Sequence, residues 1–160
     1  MGFHMGRGST LAVVLGVMLA GHAARAQICT VAATNVAFGT YDPVNTSALS
    51  STGTLTVTCS ATIGLLVSYA IQIGAGGGGG FGARAMSAGV GRLGYQFYTT
   101  VGRTAIWGDG TSGTNVVSDG YLLSMLVPVT KPYTVYGVVP ARQIVPAGTY
   151  TDTAAVLLVY

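Results

Sequence analysis

The residue types able to do acid–base or nucleophilic chemistry are few. The acids are four aspartates, Asp42, Asp109, Asp119 and Asp152; there is no Glu, and both histidines, His4 and His22, fall within the first 26 residues. A chain processed after residue 26 therefore holds no imidazole. Ser-His-Asp and Cys-His mechanisms then lose their base, histidine-based metal centres lose their ligands, and a carboxylate pair would have to come from scattered aspartates. Catalysis is not expected, and neither a catalytic residue nor a cofactor is implied.

Cys29 and Cys59 are the only cysteines. In an exported chain an even count reads as a disulfide, and closing a loop of roughly 30 residues stabilises by about 3–4 kcal/mol in the chain-entropy account. Free reactive thiols are the weaker alternative, since neither cysteine has a flanking cation or a nearby His to lower its pKa. The run Gly74-Ala-Gly-Gly-Gly-Gly-Gly80 invites comparison with a phosphate loop. It lacks a following Lys-Ser/Thr pair and a helix pattern, so a flexible hairpin loop is expected instead. Asp109, Asn115 and Asp119 offer oxygens to Ca²⁺ in principle. Without EF-hand spacing or a terminal Glu they read as solvated turn residues, and no metal is assigned. Trp107 and Asp109 form a candidate surface-contact turn, Trp107-Gly-Asp-Gly110. A lone Trp is nevertheless more often a packing residue than an exposed finger.

The elements that must position these residues follow from composition. The 160 residues include seven basic and four acidic side chains, 25 glycines, and AVILMFWYC at half of all positions. Such low charge and absent Glu disfavour long solvated helices and favour strands and turns. Arg7, an apolar run over residues 11–20 and the small-residue site Ala24-Arg25-Ala26 have the layout of a secretory signal peptide. The expected organisation is a signal over residues 1–26 and one domain over 27–160. No later stretch approaches the ~18 apolar residues of a membrane span. The remaining five basic residues are scattered against four aspartates, so neither a nucleic-acid stripe nor a polybasic membrane patch is present.

Residues 28–38 are β-compatible until Gly39-Thr-Tyr-Asp-Pro43 ends the run. Thr54-Leu-Thr-Val-Thr-Cys59 alternates, putting Leu55, Val57 and Cys59 on one face. Residues 65–73 form a second strand, with Leu65, Val67, Tyr69, Ile71 and Ile73 on one side. Residues 93–98 alternate as a further strand, with Leu93, Tyr95 and Phe97 together. The polar stretch 111–120 reads as a loop, and 133–139 and 154–160 as two more strands separated by a turning segment at 140–148. About six strands with regular turns describe an all-β antiparallel sandwich.

The ordered motifs Cys29…Phe38-Gly-Thr-Tyr-Asp42, Gly53-x-Leu-x-Val-x-Cys59, Leu93-x-Tyr-x-Phe-Tyr98, Trp107-Gly-Asp-Gly110, Tyr136-Gly-Val-Val-Pro140 and Gly148-x-Tyr-x-Asp152 resemble the spore coat protein U domain family, which includes subunits of archaic, Csu-type chaperone–usher pili. The resemblance implies an immunoglobulin-like sandwich lacking its last strand, held by a periplasmic pilus chaperone, passed to an outer-membrane usher, and completed by donor-strand exchange with a neighbouring pilin. It further implies secretion through the periplasm to the cell surface and a role in adhesion or biofilm formation. Ala154, Val156, Leu158 and Tyr160 would border the acceptor groove, on a strand free of charge and Pro whose edge is an aggregation hazard. A strand donor needs about ten residues ahead of its first strand. Only Gln27 and Ile28 precede Cys29 after the signal, so an accepting subunit at a fibre end is expected. A spore or cell coat protein and a soluble periplasmic binding module are the alternatives.

Overall fold

The computed structural model describes residues 27–62 and 64–160. The signal-peptide reading lies outside the described residues. Nine strands follow in order: β1 (Gln27–Ala33), β2 (Leu49–Ala61), β3 (Leu65–Ile73), β4 (Ala85–Ala88), β5 (Gly91–Gly94), β6 (Gln96–Tyr98), β7 (Val117–Leu123), β8 (Val129–Val139) and β9 (Val156–Val159). They build one sheet in the order β1-β2-β8-β6, a second in the order β7-β3-β9, and a small β4-β5 hairpin. All ladders between strands are antiparallel. The chain is thus the all-β sandwich expected from its alternation, with the immunoglobulin-like arrangement that the family resemblance implies.

Alternation sets the core. Leu55, Val57 and Cys59 of β2 meet Val67, Tyr69 and Ile71 of β3 across the sandwich, each at most 3 % exposed. Trp107 joins them, 1 % exposed, and its indole N–H donates to the Ile71 carbonyl at 2.9 Å. It is a core residue, and the surface-contact reading of Trp107 is corrected: the ring is large and apolar, and its one donor is satisfied inside. Leu93, Tyr95 and Val139 form a second cluster, flanked by Phe38, Met86 and Val145.

Three local readings also change. The single strand expected over 93–98 is two: Gly94 still pairs with Ala85 of β4, while its other edge is met by the Gln143 carboxamide. Its oxygen accepts the Gly94 N–H at 2.7 Å and its nitrogen donates to the Gly94 carbonyl at 2.9 Å, after which the chain leaves β4 and pairs with β8. The loop expected over 111–120 ends earlier, since β7 begins at Val117. Asp119 sits on the inward face of that strand, which masks its alternation. The glycine run is not a free hairpin loop but contains a 3-10 turn at Gly76–Gly78, followed by another at Phe81–Ala83. Gly76 has φ +69°, and its missing Cβ leaves room for the Asp152 carboxylate, whose Oδ1 accepts the Gly77 N–H at 2.9 Å.

Candidate functional site

The position of strands β1, β2 and β8 in one sheet and β3 and β9 in the other matches strands A, B, E and C, F of an immunoglobulin-like sandwich, in which a G strand flanks F. Among the described residues nothing pairs with that edge of β9. Beside it runs an apolar groove. One wall is the segment 34–41 that follows β1, and the other is the segment 149–155 that leads into β9. Two adjoining cavities of about 540 and 630 Å³, with Val36, Phe38, Met86 and Tyr150 lining both, make up this trough. Leu55, Ile73, Val135 and Phe97 line one half; Leu93 and Val139 line the other.

The first wall is placed by two glycines. Gly53 of β2 and Gly137 of β8 lie on the inner face, and a Cβ would meet Val36 at 2.8 Å from Gly53 and at 2.6 Å from Gly137. Their bare backbone lets the chain cross from the β1 ladder onto the interior, where Phe38 packs on Tyr95 with ring centroids 6.2 Å apart. The Ser51 hydroxyl donates to the Ala37 carbonyl at 2.6 Å, and the Tyr41 hydroxyl, donating to the Pro140 carbonyl at 2.9 Å, accepts the Gln143 N–H at 2.7 Å. These bonds hold the wall on its outer side.

The second wall is held from behind. Thr151 exchanges two backbone bonds with Ser87, and the Ala155 carbonyl accepts the Gly74 N–H at 2.7 Å. Tyr95 donates its hydroxyl to Asp152 Oδ2 at 2.8 Å; burial, together with this bond, pushes the phenol pKa up. Beneath lies Arg84, 1 % exposed, whose guanidinium donates to the carbonyls of Ile73 at 3.1 Å, Gly74 at 2.8 Å and Trp107 at 2.8 Å and to Gln96 Oε1 at 2.5 Å. Desolvation draws its pKa down. These four acceptors lie on the end of β3, the Trp107 turn and β6, so one buried cation ties the trough's floor together.

The trough presents an apolar floor between two extended backbones, the arrangement that accepts an added strand. The residues expected to border it divide. Ala154 and Val156 line the trough; Leu158 shares their inward face and packs on the core, opposite Ile71; Tyr160 lies past β9, 59 % exposed and outside the trough. Cys29 and Cys59 stand directly opposite each other in the β1–β2 ladder and are joined, so the disulfide is present and ties the edge strand beside the groove to the sheet. Asp109 remains in its turn, its Oδ1 accepting the Thr111 N–H and hydroxyl at 2.8 and 2.7 Å, which lower its pKa. Asp119 is engaged by Lys131 and Tyr133 rather than by a shared cation site. Val36, Phe38, Gly53 and Gly137 were not legible as groove residues. The alternation of Val36 and Phe38 and glycine at an inward strand position were the available signals, and each acquires meaning only beside the other.

The Spore Coat Protein U domain model matches residues 15–157. The chain belongs to this family. Protein U of Myxococcus xanthus is 36 % identical over 132 residues, covering 77 % of this chain and 70 % of that protein. Among solved structures, this Spore Coat Protein U domain is similar to the CsuC–CsuE chaperone–tip adhesion subunit pre-assembly complex from the archaic chaperone–usher Csu pili of Acinetobacter baumannii. The TM-score is 0.53 at 21 % identity over 84 % of this chain, which spans 40 % of the length of that one. At that identity the likeness concerns the fold.

Proposed function

We propose that the protein is a structural subunit of a secreted chaperone–usher surface fibre, and that its groove is filled in turn by a strand of a periplasmic pilus chaperone and a strand of a neighbouring pilin. The observation that carries this reading is the unflanked edge of β9 beside an apolar trough. An apolar groove with unpaired edges aggregates unless another chain fills it, and strand addition satisfies both its surface and its backbone. Val156 and Leu158 belong to the accepting strand in this reading, Ala154 to the wall that leads into it, and the exposed Tyr160 is open to contact with the chaperone. The similar solved complex pairs a chaperone with a tip subunit, which supports a chaperone as first partner. Handover at an outer-membrane usher, display at the cell surface, and a part in adhesion or biofilm formation complete the proposal. Its place at a fibre end rests on the short segment between the expected cleavage site and Cys29. Labelling the subunit in imaged fibres tests that place: label repeated along the shaft would refute it.

Expression of residues 27–160 in an oxidising periplasm with and without a pilus-type chaperone tests the central reading. A soluble 1:1 complex that aggregates without the chaperone is the expected result. A stable monomer with cooperative unfolding and no chaperone dependence would refute it. The family's name favours a second reading, a spore or cell coat protein, which shares the fold and the export route. Recovery of the protein in coat material rather than sheared fibres distinguishes the two.

A further inference from the structure

Among the described residues the sandwich has a second seam that also lacks a closing strand. On one side stands β7, which pairs with β3 alone; on the other stands the first half of β8, beyond the reach of β6, which pairs only with Tyr136, Gly137 and Val138. Two free edges thus face each other there, as at the groove. Their chemistry is opposite. Lys131 of β8 donates to Asp119 Oδ2 of β7 at 2.8 Å, Tyr133 donates to the same oxygen at 2.6 Å, and the Tyr133 hydroxyl lies 2.5 Å from that of Tyr69 on β3. Lys131 Nζ also sits 4.4 Å from the Tyr121 ring centroid. Beside Lys131, Pro132 stands in the free half of β8 and has no N–H to offer an incoming strand. The groove walls, residues 34–41 and 149–155, contain neither Pro nor Lys, and the prolines of the groove's lining, Pro43 and Pro146, lie outside them at the end away from β9.

We infer that Asp119, Lys131 and Pro132 are the specificity determinants that restrict strand addition to the groove beside β9, by closing the second seam with an inward ion pair and a donor-less edge. This rests on the proposed strand-accepting function. An incoming apolar strand at the second seam would have to break the pair and bury both its charges, whereas the groove's one charged wall residue, Asp152, is already held by Tyr95 and Gly77.

The test uses the full disulfide-bonded domain and a synthetic peptide of alternating Val and Thr, about nine residues or ~30 Å long. Hydrogen exchange is read separately at β9 with the groove walls and at β7 with residues 129–135. In the parent, peptide slows exchange at β9 alone. In the Asp119→Val/Lys131→Val/Pro132→Thr variant it also slows β7 and residues 129–135, by about tenfold or more. A folded variant still protected only at β9 overturns the inference, whereas a parent with no protection at β9 overturns the groove reading instead. If the triple variant does not fold, Pro132→Thr alone with Lys131→Gln is measured, and absence of any added protection at β7 overturns the inference equally.

Discussion

Arg84 shows how much one side chain can hold. The carboxylate of Asp152 acts on it only at a distance, and its donors are spent on carbonyls that no ladder satisfies. Arg84→Met keeps the volume but leaves those acceptors buried and unpaired, so unfolding stability should fall by about 2–4 kcal/mol, read as a lower urea midpoint. Arg84→Lys should recover only part of it, because an ammonium cannot span the same fork of acceptors. Asp119 acts through charge. The Lys131 and Tyr133 bonds hold its pKa below the ordinary 3.8, so its contribution is complete above that value and is lost as pH falls through the lower folded value. The stability gap between the parent and Asp119→Asn, measured by urea unfolding, should therefore be largest near neutrality and shrink on acidification to about pH 2. Both residues are visible as charges in the sequence. Their partners are not, since Arg84 meets Trp107 and Asp119 meets Lys131 only once the sheets close.

At the scale of elements, alternation is a reliable guide wherever one face is buried by another sheet. Thr54-Leu-Thr-Val-Thr-Cys59 and Leu65–Ile73 place in the core the residues their period of two requires. The period says less at edges. β7 hides its inward face behind Asp119, and β4 is a four-residue hairpin arm with little β propensity. Past Thr34, which still bonds Thr54, the segment 35–41 joins no ladder, and its position depends on the absence of side chains at Gly53 and Gly137. Gly137→Val should push Val36 and Phe38 off the sheet. The expected result is a loss of about 1–3 kcal/mol, as for other overpacked sites, with faster amide exchange confined to residues 35–40. Retained exchange rates there would show that the wall is held by its outer bonds alone.

For the whole molecule, the disulfide and the groove belong to one arrangement. Cys29–Cys59 fastens β1, an edge strand, beside the trough whose first wall continues from it. Cys29→Ser/Cys59→Ser should cost about 2–5 kcal/mol and loosen that wall before the central sheet, checked by unfolding and by exchange in β1 against β3. Paired cysteines, strand alternation, low charge and the absence of Glu suffice to expect a disulfide-stapled β-sandwich, because each depends on composition or on neighbours a few residues apart. Which edge stays open is decided only by the tertiary structure. An edge is defined by the strand that fails to pair with it, and at β9 that depends on how residues 34–41, Gly53, Gly137 and Asp152, distant in the chain, come to share one seam while Lys131 and Asp119 close the other.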